Sequence, residues 1–304
     1  MINDLEVAIF SYNRGDYLKN CVESVVKGLP GVKITIFDDH SDDLATVKYL
    51  KQLGNQVILG KEDNDTRHGN LYSNMQMALD LSSKRFLLLL QDDLQVVRTV
   101  HAQDMKTINT IFNDPDIAFL RPQFMKFSDG TRNIELLTPS EKLRAYFPKD
   151  EFTKGIFGHA YCDIAICDVP KLKKIGWTFL DTERKNQIQA HSLFKYTPFM
   201  ADSFLFYCPE VPCYRNKKLF LASKLVQNKL KGKISTFTLF SQEKNHYFIN
   251  RNVDIWPIAE DFLETNNTHV IKPFVYQDYN KSIFLKILYK IERGLYQVIK
   301  LIRI

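Results

Sequence analysis

The chain runs to 304 residues, 45% apolar and 25% charged, with a formal net charge of +6. That is the composition of an ordinary globular protein, with length for a full core in one large or two modest domains and no case for a nucleic-acid partner. Five cysteines (Cys21, Cys162, Cys167, Cys208 and Cys213), odd in number and without a C-x-x-C pair, argue for reduced thiols and against a zinc knuckle.

The opening MINDLEVAIF has neither the basic start nor the long apolar stretch of a signal peptide, so a cytoplasmic protein is expected. No run approaches the length that crosses a bilayer. Val7 to Phe10 reads as a short apolar strand, and Leu18, Cys21, Val22, Val25 and Val26 follow at helical spacing. KITIF is a second strand ending at Asp38 and Asp39. Leu44, Val47, Leu50 and Leu53 mark a second helix, stopped at Gly54. QVIL is a third strand, and Leu71, Met75 and Ala78 line a third helix. FLLLL is a fourth strand, buried on both faces by its unbroken apolar run, and it stops on Asp92 and Asp93. Alternation at this pitch predicts parallel strands sandwiched by helices, an α/β domain. Further on, IAFLRP reads as a strand. YCDIAIC reads as another that runs into a helix, and the polar stretch from 128 to 155 reads as an irregular loop over the site.

Ligands of such sheets sit beyond the carboxyl ends of the strands. Those ends carry Ser11-Tyr12-Asn13-Arg14, then Asp38-Asp39-His40-Ser41, a loop reaching His68-Gly69, and Gln91-Asp92-Asp93. Adjacent carboxylates repel each other and need a positive partner. The second-strand pair could cap the helix that follows, but Ser41 or Asp42 can do that. A carboxylate there commonly accepts hydrogen bonds from a ribose, and a second pair can hold a magnesium or manganese ion that bridges a diphosphate. No G-x-G-x-x-G follows the first strand and no G-x-x-x-x-G-K-[ST] occurs, which leaves metal or basic side chains to neutralise phosphate.

SYNR, IFDDHSDD, HGNLYSNMQMAL and LLQDDLQ resemble, in order and spacing, the nucleotide-sugar domain of family 2 glycosyltransferases of the GT-A fold. The resemblance covers roughly the first hundred residues. It implies a three-layer α/β/α fold with a Rossmann-like, mostly parallel sheet, and transfer of a sugar from a nucleotide donor, UDP-linked by preference, to an acceptor hydroxyl. It places Ser11, Asn13 and Arg14 beside the nucleotide and Asp38 and Asp39 on its base and ribose. Gly69 and Asn74 match an element beside the nucleotide. Gln91-Asp92-Asp93 matches the D-x-D motif, with Gln91 in place of the first aspartate. Asp93 is then the first choice for an Mn2+ or Mg2+ ligand and Asp92 lies near the ribose or donor sugar. GWTFLDTERKNQ resembles the stretch that carries the base of inverting members, with Asp181 and Glu183 as candidates and Glu183 preferred. His159 and Arg215 are further candidates for acceptor or diphosphate contact.

From Arg215 to Lys233 there are seven basic residues and no acidic one. Phe284, Leu288, Ile291, Leu295, Val298 and Ile302 then form one stripe of a basic helix. Such a stripe can dock on the core, form a homodimer seam or lie in an anionic membrane surface, and the last is favoured. The expected organisation is a nucleotide-sugar part over 1–100, an acceptor half over 101–215 and a basic extension over 216–304. The expected role is an inverting, metal-assisted glycosyltransferase on the inner face of the plasma membrane. It would extend a surface polysaccharide or glycolipid on a glycan or lipid-linked acceptor. A sugar-nucleotide nucleotidyltransferase would carry a glycine-rich loop after the first strand, which SYNRGDYL lacks. A non-catalytic nucleotide-sugar or glycan-binding protein is the other rival.

Overall fold

The computed structural model describes residues 2–60, 70–128, 134–149, 160–212, 214–215, 218–230 and 233–302. Its centre is a six-stranded sheet of β1 (Leu5–Ser11), β2 (Lys33–Asp38), β3 (Val57–Leu59), β4 (Phe86–Gln91), β5 (Phe119–Leu120) and β6 (Ile166–Asp168), in the order β3-β2-β1-β4-β6-β5. The first four pair in parallel, and β6 runs antiparallel to both neighbours. Parallel strands need crossovers, and the helical periodicities between them supply these as α1 (Gly15–Gly28), α2 (Leu44–Leu53) and α3 (Leu71–Leu81).

Both faces of the sheet are covered, which is why FLLLL has no polar alternation. Ala8, Phe10, Phe37, Leu87 and Leu89 face a core with Met75 and Leu79 of α3, Leu172 of α5 (Val169–Lys174) and Ala190 of α6 (Glu183–Leu193). The alternate residues Val7, Ile9, Phe86 and Leu88 are equally buried, and the Phe86 ring stacks on Phe112, just past α4 (Ala102–Ile111), at 5.2 Å. The architecture is three-layered and α/β, with a mostly parallel sheet, as expected. Among the described residues Cys21, Cys162, Cys167 and Cys208 form no disulfide and are buried, so they act there as small apolar side chains.

One expectation fails for reasons of long-range packing. The stretch read as an irregular loop contains a hairpin, Leu137–Ser140 with Ala145–Pro148. Its Tyr146 is fully buried, stacked on Trp256 at 4.1 Å. The chain divides into two compact units, Met1–Phe206 with Leu239–Phe262, and Tyr207–Thr238 with Leu263–Ile304. Residues 239–262 return to the first unit because Phe248 packs on Phe124 at 5.0 Å, and Arg251 donates to Asp202 and to the Ala201 carbonyl.

In the second unit, the helix Ile283–Ile302 packs its inner face through Tyr289, which stacks on Tyr279 at 3.8 Å and meets Phe220 edge-on. Glu292 accepts the Leu221 backbone N–H. The expected stripe does not dock there. Only Leu288 of its described members is half-buried, while Phe284, Ile291, Leu295 and Val298 are 52 to 69% exposed, with Ile287 beside them. Among the described residues no helix is long and apolar enough to cross a membrane.

Candidate active site

Parallel pairing puts the carboxyl ends of β1, β2 and β4 on one edge, with β1 in the middle. Ser11 lies opposite Asp38 in the register, and the Asp92 N–H donates to the Phe10 carbonyl. The exits of β2 and β4 are therefore two strand spacings apart, roughly 10 Å. That brings Ser11, Asn13, Arg14, Asp38, Asp39, Asp92 and Asp93 to one rim.

Asp92 and Asp93 are 3% and 1% exposed in the turn after β4. Their positive partner is Arg14, whose guanidinium reaches Asp93 Oδ2 at 2.5 Å and Asp92 Oδ1 at 3.1 Å. Asp92 Oδ2 also accepts the Tyr12 N–H at 3.1 Å. Burial drives the Asp92 pKa above the ordinary carboxylate range, Arg14 opposes that shift, and Asp93 adds to it.

Asp38 is buried, which raises its pKa, and it takes both the N–H and the hydroxyl of Ser41 at 2.7 Å. The N-cap of α2 is neither Ser41 nor Asp42 but Asp43, which accepts from the Thr46 N–H at 2.9 Å. Asn13 adopts φ 50°, a left-handed conformation that Asn tolerates. Its backbone N–H donates to Ser41 Oγ. Its side chain donates to Asp42 at 2.6 Å and accepts from the Asp42 and Asp43 N–H groups, which binds the first loop to the second.

Asp39 accepts from the side chain of Asn70, the residue before α3, at 2.8 Å. Asn74 is buried one turn further on and packs against Gly60, where any Cβ would fall 2.7 Å from its Oδ1. Gly69, His159 and the side chain of Arg215 lie outside the described residues.

The first turn of α3 also reaches a second acidic group. Tyr72, two residues after Asn70, donates its hydroxyl to Asp163 Oδ2 at 3.0 Å. The charge of Asp163 bears on the Glu183 carboxylate, and that of Glu183 on Tyr72. Glu183 is half-buried at the start of α6, its pKa pushed up to about 7 by burial and by Asp163, with Arg121 opposing. Asp181 is different: its side chain is 60% exposed and pairs with Lys185 at 2.8 Å.

Sequence reading missed Tyr72, Asp163 and Arg121. A lone aspartate inside the apolar run YCDIAIC was the one available signal. Arg121, 4% exposed over the Phe199 ring, reads as the plain end of a strand.

An α/β sheet with acidic side chains gathered at the carboxyl ends of its strands has a candidate site where such sheets take their ligands. The family model "Glycosyl transferase family 2" matches residues 6–176, more than half of the chain, so the chain belongs to that family. The match includes Tyr72, Arg121 and Asp163 and ends seven residues before Glu183.

Two similar solved structures are of S. aureus TarS residues 1–349. The first is 12% identical, covering 67% of this chain and 60% of that one at a TM-score of 0.44. The other, in complex with UDP, is 14% identical, covering 66% and 59% at 0.46. This chain thus spans about 60% of the length of the first structure. No curated protein matches it.

Proposed function

We propose that this protein transfers a sugar from a nucleoside-diphosphate donor, UDP-linked by preference, to an acceptor hydroxyl with inversion at the anomeric carbon. One observation carries the reading: in a family 2 chain, parallel pairing of β2, β1 and β4 gathers Asp38, Asp39, Asp92 and Asp93 on one edge. Asp38 and Asp39 would bind base and ribose. Ser11, Asn13, Gly69 and Asn74 would lie beside the nucleotide, and Asp92 near the ribose or donor sugar. Arg14 supplies positive charge at the same edge, where the diphosphate leaves. Glu183 takes the proton of the acceptor hydroxyl as that oxygen bonds to the anomeric carbon, and the bond to the diphosphate breaks with its electron pair leaving on phosphate. Its raised pKa suits that task, which the exposed, lysine-paired Asp181 does not match.

The rim also fits a divalent ion. Among the described residues there is no cluster of three His, Cys, Asp or Glu side chains, yet Mg2+ or Mn2+ needs only one or two carboxylates when phosphate oxygens and water complete its shell. Asp93, with Asp92, has the hard oxygen donors for it. A bound ion would add charge stabilisation at the leaving diphosphate.

The exposed stripe of Ile283–Ile302, with Lys286, Lys290, Arg293 and Lys300 on the same helix, fits an anionic lipid surface better than water. Peripheral attachment at the inner face of the plasma membrane suits a lipid-linked or membrane-embedded glycan acceptor, as in surface polysaccharide or glycolipid synthesis. The test of the donor reading is a set of nucleotide sugars with manganese, scored by thermal shift and slow donor hydrolysis. One donor should raise the melting temperature by mass action, and a chain that none of them stabilises or reacts with is not this enzyme.

A further inference from the structure

The helix Ile283–Ile302 has a neighbour in its own unit, the helix Leu221–Leu230. At about 100° per residue the long helix has three sectors. Leu285, Leu288, Tyr289, Glu292 and Tyr296 share the inner, half-buried one. Phe284, Ile287, Ile291, Leu295 and Val298 make the exposed apolar sector, and Lys286, Lys290 and Arg293 the exposed basic one. Glu292 is the one acidic residue between 283 and 302, and its carboxylate accepts the Leu221 N–H at 2.7 Å, where the short helix begins. Beside that bond the Phe220 ring meets Tyr289 at 4.8 Å. Leu288 and Leu295, four residues back and three on, are the neighbours of Glu292 on the helix surface. The hydrogen bond therefore brings Leu221 to the border of the apolar sector.

The short helix carries an outward face of the same character. Ala222, Ser223 and Val226 are buried, and the Ser223 hydroxyl donates to Asp278 at 2.7 Å. Its exposed positions are Leu221, Lys224, Leu225 and Asn228, one helical face, with Leu221 48% and Leu225 40% exposed. We propose that the outward faces of these two helices form one surface that lies in an anionic lipid bilayer, with Leu221 and Leu225 inserted beside Ile291 and Leu295. The proposal rests on the peripheral attachment put forward above and extends it to a second helix. Charge selects the occupant. With Glu292 engaged by a backbone N–H, every other charged residue of the two helices is basic. A second copy would set the same basic residues against each other across a two-fold seam. Anionic headgroups neutralise them while the acyl chains take up the apolar side chains. Two helices already fixed to each other also present more apolar area without further ordering, and binding grows with that area.

The experiment sediments the intact chain with vesicles of equal parts phosphatidylglycerol and phosphatidylcholine, and with phosphatidylcholine alone. Wild type should bind the first and bind the second about tenfold more weakly or worse. Leu221→Glu with Leu225→Glu should lower the partition coefficient about tenfold or more at an unchanged melting temperature. Wild-type partition in that variant, with Ile291→Glu plus Leu295→Glu unable to bind, overturns the two-helix surface and leaves the long helix as the anchor. Equal binding of wild type to the two vesicles overturns it as well. A wild type that sediments with neither vesicle overturns the attachment reading and this proposal together. Should the double glutamate variant not fold, Leu225→Trp decides. Brominated acyl chains in the same vesicles should quench its added fluorescence, and an unquenched signal overturns the proposal.

Discussion

Replacing Glu183 by glutamine keeps the side chain's shape and removes its charge, so catalysis and stability should respond in opposite directions. A base must be ionised, and wild-type turnover should fall as pH drops below about 7. Glu183→Gln should lower kcat roughly 10²–10⁴-fold, with donor binding by calorimetry unchanged. Its folded pKa lies above the ordinary value of 4.5, so the cost of the buried charge is absent below that pH and complete above about 7. Glu183→Gln should therefore melt above wild type at about pH 8 and level with it at about pH 4. Asp181→Asn removes only an exposed pair with Lys185 and should leave both rate and melting temperature near wild type. A dead Asp181→Asn beside an active Glu183→Gln would exchange their roles.

Single elements make claims of their own. Asp43 caps α2, so Asp43→Ala should cost about 1 kcal/mol in a denaturant titration, while Asp42→Ala should cost no cap. On the helix Ile283–Ile302, Ile291→Glu with Leu295→Glu alters two side chains more than half exposed, so the fold should survive. Sedimentation with anionic vesicles should be lost, whereas a protein that still sediments but changes its oligomeric state would make the stripe a seam between copies. The strands and helices up to β4 were legible because each carries its own period and its own stop. In a parallel sheet those stops share one edge, so the rim could be read off the chain. The hairpin that buries Tyr146 could not be, since its partner Trp256 is over a hundred residues away. Likewise, nothing local told Glu183 from Asp181: burial under a neighbouring carboxylate is a property of the folded state.

At the scale of the molecule, residues 239–262 matter more than their position suggests. A chain ended at Phe206 would keep every strand of the central sheet. It would lose Phe248 from its place against Phe124, and Arg251 from Asp202. Such a chain should be insoluble or molten, checked by near-ultraviolet circular dichroism. A chain lacking only the helix Ile283–Ile302 should keep the first unit's cooperative unfolding. The rim itself is joined in two manners. Asn13, in its left-handed conformation, fastens the first loop to the second by bonds to Ser41, to the Asp42 side chain and to the Asp42 and Asp43 N–H groups. The fourth-strand turn is held to the first loop chiefly through carboxylates, on Arg14 and on the Tyr12 N–H. One side of the jaw is bolted and the other is latched by charge. Loss of the Arg14 charge should therefore loosen the fourth-strand turn, while the bonds of Asn13, which do not depend on it, stay in place.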